Sequence, residues 1–438
     1  MLSAPSLSIP ASPPVGVAAF QNLLDELGPV FARRSTHQLF IALACGLVLA
    51  ERATVTGMAA AAGLGDQWRR ACWFFASTAW DVDHLGLAVA RLAVRHLLTG
   101  DEPLVVAVDG TFLARWGKKV AACFWAYNGA AQGGKKIGYG TTWVVAALVV
   151  RLPFCPSPVA LPILFRRWRG KGTDSQPALA AQMLTLLAQA FPDRRVHGVG
   201  DAAFHGPQLA DLPTNADHTT RLPANAVLCG PAPPRTGKRG RPAKKGPRLG
   251  RPAQIAADPT LNWVDAVADM YGTRTAVTIA VCPVLWYGSF GDLPGQLVLV
   301  RMAGSEKIVD LALFSLDVAA SALTLVERYA WRWAIEPCNA TGKQVIGVGD
   351  AATRTVRSVE RCLPFAFLVQ TLMIVWFSLG GNPAASVARR RLLSPWYRTK
   401  ATPAPADIKL ALRDELIANR IKAVAADHRD AQNSASAA

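Results

Sequence analysis

The chain has 438 residues, 51% of them hydrophobic, enough for a sizeable core and for two or three domains. Only 18% are charged, yet 47 Lys and Arg stand against 30 Asp and Glu, a formal net charge of +17. That surplus points first to nucleic acid, ahead of an anionic membrane surface or a solubility effect. The eight cysteines lie far apart with no C-x-x-C pair, which fits neither a zinc site nor a disulfide scaffold and leaves buried thiols in a reducing cytoplasm.

Residues 1–15 are rich in Pro, Ala and Ser and read as a disordered leader. They lack the basic start and the long apolar run of a secretory signal. Residues 16–98 read as a helical N-terminal domain. Apolar positions recur at three and four in "VAAFQNLLDELGPVFA", "THQLFIALACGLVLA" and "DHLGLAVARLAVRHLL". Within it, "TVTGMAAAAGLGDQWRR" suits either a helix-turn-helix-like DNA reader or an ordinary helical cap.

At 103 the period changes. "PLVVAVDGT" is a short apolar run stopped by Asp109-Gly110, the pattern of a buried strand. "KIGYGTTWVVAALVVRL" and "SPVALPILFRRW" are two more strands, 176–191 is a helix, and "RRVHGVGDAAF" is a further strand ending at Asp201. This order predicts a mixed α/β sheet over 99–222. Asp109 and Asp201 sit where strands leave it, a common place for α/β sites.

Residues 223–315 read as a basic, β-rich insertion. "GPAPPRTGKRGRPAKKGPRLGRPA" (230–253) carries eight Lys or Arg, among them Lys238, Arg239, Arg241, Lys244 and Lys245, and no acid occurs from 218 to 257. Its "GRP" is the core of minor-groove-binding arms; a flexible solvated linker is the alternative. Strands resume in "TRTAVTIAVCPVLWYG", "GQLVLVRMAG" and "VDLALFSLD". Trp286 and Tyr287 suit core packing better than stacking on an unpaired base. His197 and His205, which bracket Asp201, suit structural roles.

Residues 316–380 read as a long helix over 319–347 and another over 354–378. The apolar stretch "PFAFLVQTLMIVWFSLG" is short for a membrane span and holds Gln370, so it reads as a buried core helix. Residues 381–438 close the chain with a basic loop (383–406) and an amphipathic helix (406–425). The helix over 319–347 carries "YAWRWAIEPCNATGKQ". At about 100° per residue, Tyr329, Arg332, Glu336 and Lys343 fall on one narrow face. The plain alternative is a solvated face with an Arg–Glu pair four residues apart.

Asp109, Asp201 and Glu336 are three isolated acids in separate elements. Phosphodiester cleavage needs an activated nucleophile and a stabilised oxyanion leaving group. Two Mg2+ ions about 4 Å apart, held by carboxylates, supply both. Acids at strand ends also simply cap turns.

"VAVDGT" (106–111), "VGDAAFHG" (199–206) and the Y-x2-R-x3-E-x6-K spacing at 329–343 together resemble the DDE transposases of bacterial insertion sequences. They are similar in particular to the branch with a Tyr-Arg-Glu-Lys signature, the insertion-sequence-four clan. The resemblance runs over roughly 100–378. It implies an RNase-H-like mixed-sheet catalytic core interrupted by the β-rich insertion, with the helical domain in front. Asp109, Asp201 and Glu336 would be the catalytic acids, holding two Mg2+ ions, or Mn2+. Arg332 and Lys343 would grip DNA phosphates and Tyr329 would position the terminal phosphate. Lys238, Arg239, Arg241, Lys244 and Lys245 would add DNA contacts.

The enzyme so implied binds terminal inverted repeats in double-stranded DNA and pairs two ends in a homodimeric synaptic complex. It cleaves the ends and joins them to target DNA, in the bacterial cytoplasm at the nucleoid, with no membrane. The alternatives are a structure-specific nuclease on the same core and a catalytically inactive DNA-binding relative. Pro337 departs from the signature: a proline inside a helix removes a hydrogen bond and costs roughly 3 kcal/mol. A bend there is expected to turn Lys343 away from Glu336.

Overall fold

The computed structural model describes residues 16–117, 119–129, 131, 134, 136–234 and 242–436, with side chains as far as 422. The leader at 1–15 and Lys238, Arg239 and Arg241 lie outside the described residues.

The N-terminal part is helical: α1 (Val17–Asp25), α2 (Arg34–Leu49), α3 (Val55–Ala61), α4 (Trp68–Ala76) and α5 (Val82–Leu97). Two starts are set by side-chain caps. Thr54 accepts the Gly57 N–H and Asp81 accepts the His84 N–H. The segment with two sequence readings becomes α3 and α4.

The sheet begins with β1 (Leu104–Ala114), β2 (Phe124–Tyr127), β3 (Ile137–Val150) and β4 (Val159–Trp168), then α6 (Gln176–Ala190), β5 (Val196–Gly200) and β6 (Ala216–Arg221). β3 pairs antiparallel with both β1 and β4, and β5 lies parallel between β1 and β6. The resulting order, β4-β3-β1-β5-β6, is consistent with an RNase-H-like core. β6, "ADHTTR", has no apolar run to announce it. Its buried polar groups are satisfied instead by neighbours: Thr219 Oγ1 lies 2.8 Å from His197 Nε2 and 2.8 Å from Ser315 Oγ.

The next segment holds β7 (Leu228–Cys229), β8 (Arg248–Gly250), α7 (Pro252–Ala256), β9 (Trp263–Met270), β10 (Thr273–Val284), α8 (Tyr287–Phe290), β11 (Gly295–Met302) and β12 (Leu311–Ser315). β7 and β8 pair as a small separate sheet. β9 to β12 extend the main sheet instead, because β12 pairs antiparallel with β6 through Leu313↔Arg221, Phe314↔Thr220 and Ser315↔Thr219.

The last elements are α9 (Ala322–Trp331), a 3-10 turn at Arg332–Ala334, α10 (Ile335–Thr341), a π turn at Gly342–Ile346, α11 (Val356–Gly380), α12 (Pro383–Leu393) and α13 (Pro405–Ser436). Two expectations are corrected here. The helix expected over 319–347 keeps right-handed dihedrals from Ala322 to Ile346 but changes its hydrogen bonding three times along the way, and part of the loop over 383–406 is α12. Asn382 caps α12 by accepting the Ala385 N–H, and Pro383 sits in its first turn, where no N–H is missed.

α11 is long and apolar enough to cross a membrane, but 89% of its most apolar stretch is buried within the protein. Phe367 stacks on Phe165 of β4 at 5.6 Å, while Phe365 meets Phe40, Phe74 and Phe75 of the N-terminal helices edge-on. Arg361 donates to the carbonyls of Phe74, Phe75 and Thr78. The N-terminal helices are therefore fastened to the sheet through α11.

Candidate active site

Asp109 lies in the middle of β1, opposite Val145 of β3. Asp201 follows β5 directly. Gly200 matters to this bend: a Cβ there would stand 2.5 Å from the Phe204 Cβ, so no side chain fits. The turn is held by Asp201 itself, whose Oδ1 accepts the Ala203 N–H at 2.9 Å and whose carbonyl accepts the Thr220 hydroxyl at 2.7 Å. β1 and β5 are neighbours, so Asp109 and Asp201 come from adjacent strands on one side of the sheet. The strand expected to stop at Asp109-Gly110 instead runs on to Ala114, because β3 pairs with it that far, and only Asp201 sits where a strand leaves.

Glu336 arrives on α10. Gly342 lets this helix approach α11, since a Cβ there would lie 2.3 Å from the Phe367 ring. The break before α10 also accounts for Pro337, which is its third residue. N–H groups in the first turn have no partner inside a helix, so little is lost there. Pro337→Val is accordingly expected to shift stability by less than about 1 kcal/mol, not by the roughly 3 kcal/mol of a mid-helix proline. A rise in melting temperature of many degrees, measured by calorimetry, would show that the proline is strained after all.

The three acids share one electrostatic neighbourhood. Asp109 is pushed up to about 6, chiefly by burial and further by the charges of Asp201 and Glu336, against the opposing pull of Arg332. Arg332 is buried and donates to Glu336 Oε1 at 3.2 Å. Its guanidinium carbon lies 5.6 Å from the Tyr329 ring centroid. Burial lowers the Lys343 ammonium, and the Asp109 charge raises it in return. Lys343 thus stays within electrostatic reach of Asp109.

Among the described residues no group of three His, Cys, Asp or Glu side chains converges tightly enough to enclose a metal ion as placed. The donor set nonetheless suits a hard divalent cation. It offers three carboxylates, two of which push Asp109 up, with one arginine to offset them.

Other predicted residues are placed elsewhere. His197 is fully buried, with Nδ1 3.5 Å from Asp317 and 3.3 Å from Arg328. His205 bonds Ser289 at 2.8 Å and lies against Trp286. Trp286 is itself buried among Phe290 and Phe314. Lys244 pairs with Asp292 at 3.1 Å and Lys245 covers the Tyr287 ring, so neither reaches the acids. His197 has the structural role expected of it, within an Asp317–Arg328–His197 cluster that braces α9 against the sheet; its two partners are not legible in the sequence. The cluster's members are far apart in the chain and match no motif.

The model of the family described as DDE superfamily endonuclease matches residues 26–287, a span that holds Asp109 and Asp201 and ends before Glu336. No curated protein matches the chain. More than half of the sequence lies within that match, and the chain therefore belongs to the DDE superfamily endonucleases, a family with transposase or nuclease activity on DNA.

Proposed function

We propose that the protein is a transposase of the Tyr-Arg-Glu-Lys branch, in the insertion-sequence-four clan. It binds terminal inverted repeats, cuts DNA at the element ends and joins the freed 3′-hydroxyls to target DNA. The carrying observation is that the charges of Asp201 and Glu336, from two other elements, both act on Asp109, and that all three acids act on the buried Arg332.

In this reading the three carboxylates hold Mg2+ or Mn2+. The bound cations supply Lewis-acid stabilisation of the leaving oxygen and a more acidic attacking hydroxyl. Arg332 keeps Glu336 in place and presents a planar fork to phosphate, while Lys343 adds a point charge. Tyr329, packed under Arg332, sets the position of the terminal phosphate. Residues 99–222 and 316–380 make the catalytic unit, 16–98 and the basic segment in 223–315 bind DNA, and two copies pair the ends.

The test is cleavage of the native element ends with Mg2+ by the wild-type protein, with Asp109→Ala beside it. Binding without cleavage in Mg2+ or Mn2+ would favour the inactive relative. Cleavage without joining would favour the structure-specific nuclease. A second test concerns the basic segment. Each neutralised phosphate adds about −0.9 to the slope of log affinity against log salt. Neutralising Lys238, Arg239, Arg241, Lys244 and Lys245 together is expected to flatten that slope by several units' worth of contacts, read by anisotropy at a series of salt concentrations. An unchanged slope would make the segment a linker.

A further inference from the structure

β2 and the outer half of β3 form a two-stranded ribbon at the edge of the sheet. One face of it is aromatic and bare. Trp125 is 71% exposed, Tyr127 69% and Ile137 58%, with the Tyr139 ring 5.7 Å from Trp125. Soluble surfaces seldom leave such a contiguous patch without use.

The register ties this patch to the acids. Paired residues share a face, and every second residue returns to it. Asp109 pairs with Val145; steps of two along β3 then reach Trp143, Thr141, Tyr139 and Ile137. Trp125 is the partner of Tyr139, and Tyr127 of Ile137. The bare aromatics thus stand on the same sheet face as Asp109. That is the face covered by α11, since Phe165, the β4 partner of Val145, stacks on Phe367. Six residues separate Val145 from Tyr139, about 20 Å at roughly 3.3 Å per residue.

Charge favours one occupant. Between Asp109 and Asp174 the chain has ten Lys or Arg and no acid. Lys119 and Lys136 flank the aromatics and are exposed. A second copy of this chain, at +17, would bring like charge onto like. A polyanion with flat apolar faces suits both features. Trp and Tyr rings with no hydrogen-bonding side chain between them read stacking, not base edges.

We propose that the Trp125–Tyr127 face of this ribbon stacks unpaired bases of a DNA strand running to or from the Asp109 site. The inference rests on the proposed function only in taking the strand to be the one held at Asp109.

The test uses the full-length protein and two fluorescent probes: an oligothymidylate of about 15 nucleotides, within the site sizes of stacking platforms, and a duplex of equal length. Replacing both aromatics, Trp125→Ala with Tyr127→Ala, is expected to weaken oligothymidylate binding by about 10- to 100-fold and duplex binding by less than about 3-fold. Trp125→Phe, which keeps a ring, should retain most of the affinity. Equal weakening of both probes, or none, overturns the proposal. So does loss of self-association with DNA binding intact, which would assign the face to a second copy. Should the double variant not fold, photocrosslinking of bromouracil-substituted oligonucleotide to the wild type decides: adducts on Trp125 or Tyr127 support the face, and adducts only elsewhere overturn it. Wild-type cleavage with Mg2+, run alongside, keeps the two readings apart. Cleavage with unaltered binding by the double variant removes the ribbon alone; binding lost in the variant, from a wild type that cuts nothing, removes the transposase reading alone.

Discussion

Asp109→Asn is expected to abolish DNA cleavage and, in the absence of metal, to make the protein more stable. The loss follows from chemistry: an amide keeps the size of the carboxylate but not the charge that holds a divalent cation. Removing one electrostatic support of a phosphodiester transition state costs about 100- to 1000-fold, and a metal ligand stands at the upper end. The gain follows from linkage. Asp109 titrates near 3.8 in an unfolded chain and at about 6 in the folded one. Between those values the folded state holds a proton that the unfolded state has lost, so stability falls as pH rises through that window. The two-unit shift corresponds to roughly 3 kcal/mol of destabilisation at neutral pH. Asn removes it. The variant should melt above the wild type at neutral pH in EDTA, and the two should converge as pH drops toward 4. Mg2+ should raise the melting point of the wild type more than that of the variant. Asp201→Asn and Glu336→Gln should also stop cleavage, and all three should bind DNA nearly as before. A neutral-pH melting point at or below that of the wild type would show that Asp109 is not held in surroundings that disfavour its charge.

The parts of this arrangement that could be read in advance are those whose local pattern and global place agree. β1 and β3 hold continuous apolar runs because both faces are covered, α6 follows three–four periodicity, and α11 is apolar all round because it is buried all round. β6 was invisible because its buried His218 and two threonines are stabilised by partners far away in the chain, not by apolar burial. α9 and α10 were merged for the opposite reason. The path from 322 to 346 stays right-handed, and the changes from α to 3-10 to π hydrogen bonding along it leave no mark in the periodicity. The acids themselves were legible as types and spacings. Their meeting point depends on the adjacency of β1 and β5 and on the packing of α10, which residue spacing does not encode. The joining of β12 to β6, which makes one sheet of two segments, likewise rests on pairings between residues more than 90 positions apart.

Arg332→Ala is expected to lower cleavage by at least about 100-fold and to move the acid limb of its pH profile upward. Arg332 is the cation set against Asp109, Asp201 and Glu336, and it is the strongest influence holding the Asp109 carboxyl down. Without it burial and the neighbouring acids are opposed mainly by the Gly110 backbone hydrogen bond, so Asp109 must lose its proton at higher pH. The ion pair with Glu336 is not where the stability lies, because that carboxylate is 38% exposed and such pairs contribute about 0–1 kcal/mol. Any fall in melting temperature therefore reports lost packing on Tyr329, and it can be separated from the pH effect. Arg332→Lys sharpens the comparison. It keeps the charge and loses the planar fork, so the acid limb should return toward the wild type while the rate stays low. An acid limb that does not move in Arg332→Ala would show that the cation is not coupled to the acids. That outcome would also reopen the inactive-relative reading. Burying a guanidinium whose Nε has no protein partner is costly, and the cost is offset here by three facing carboxylates and by whatever anion the site receives. A chain that no longer handled phosphate would gain nothing from keeping that group desolvated.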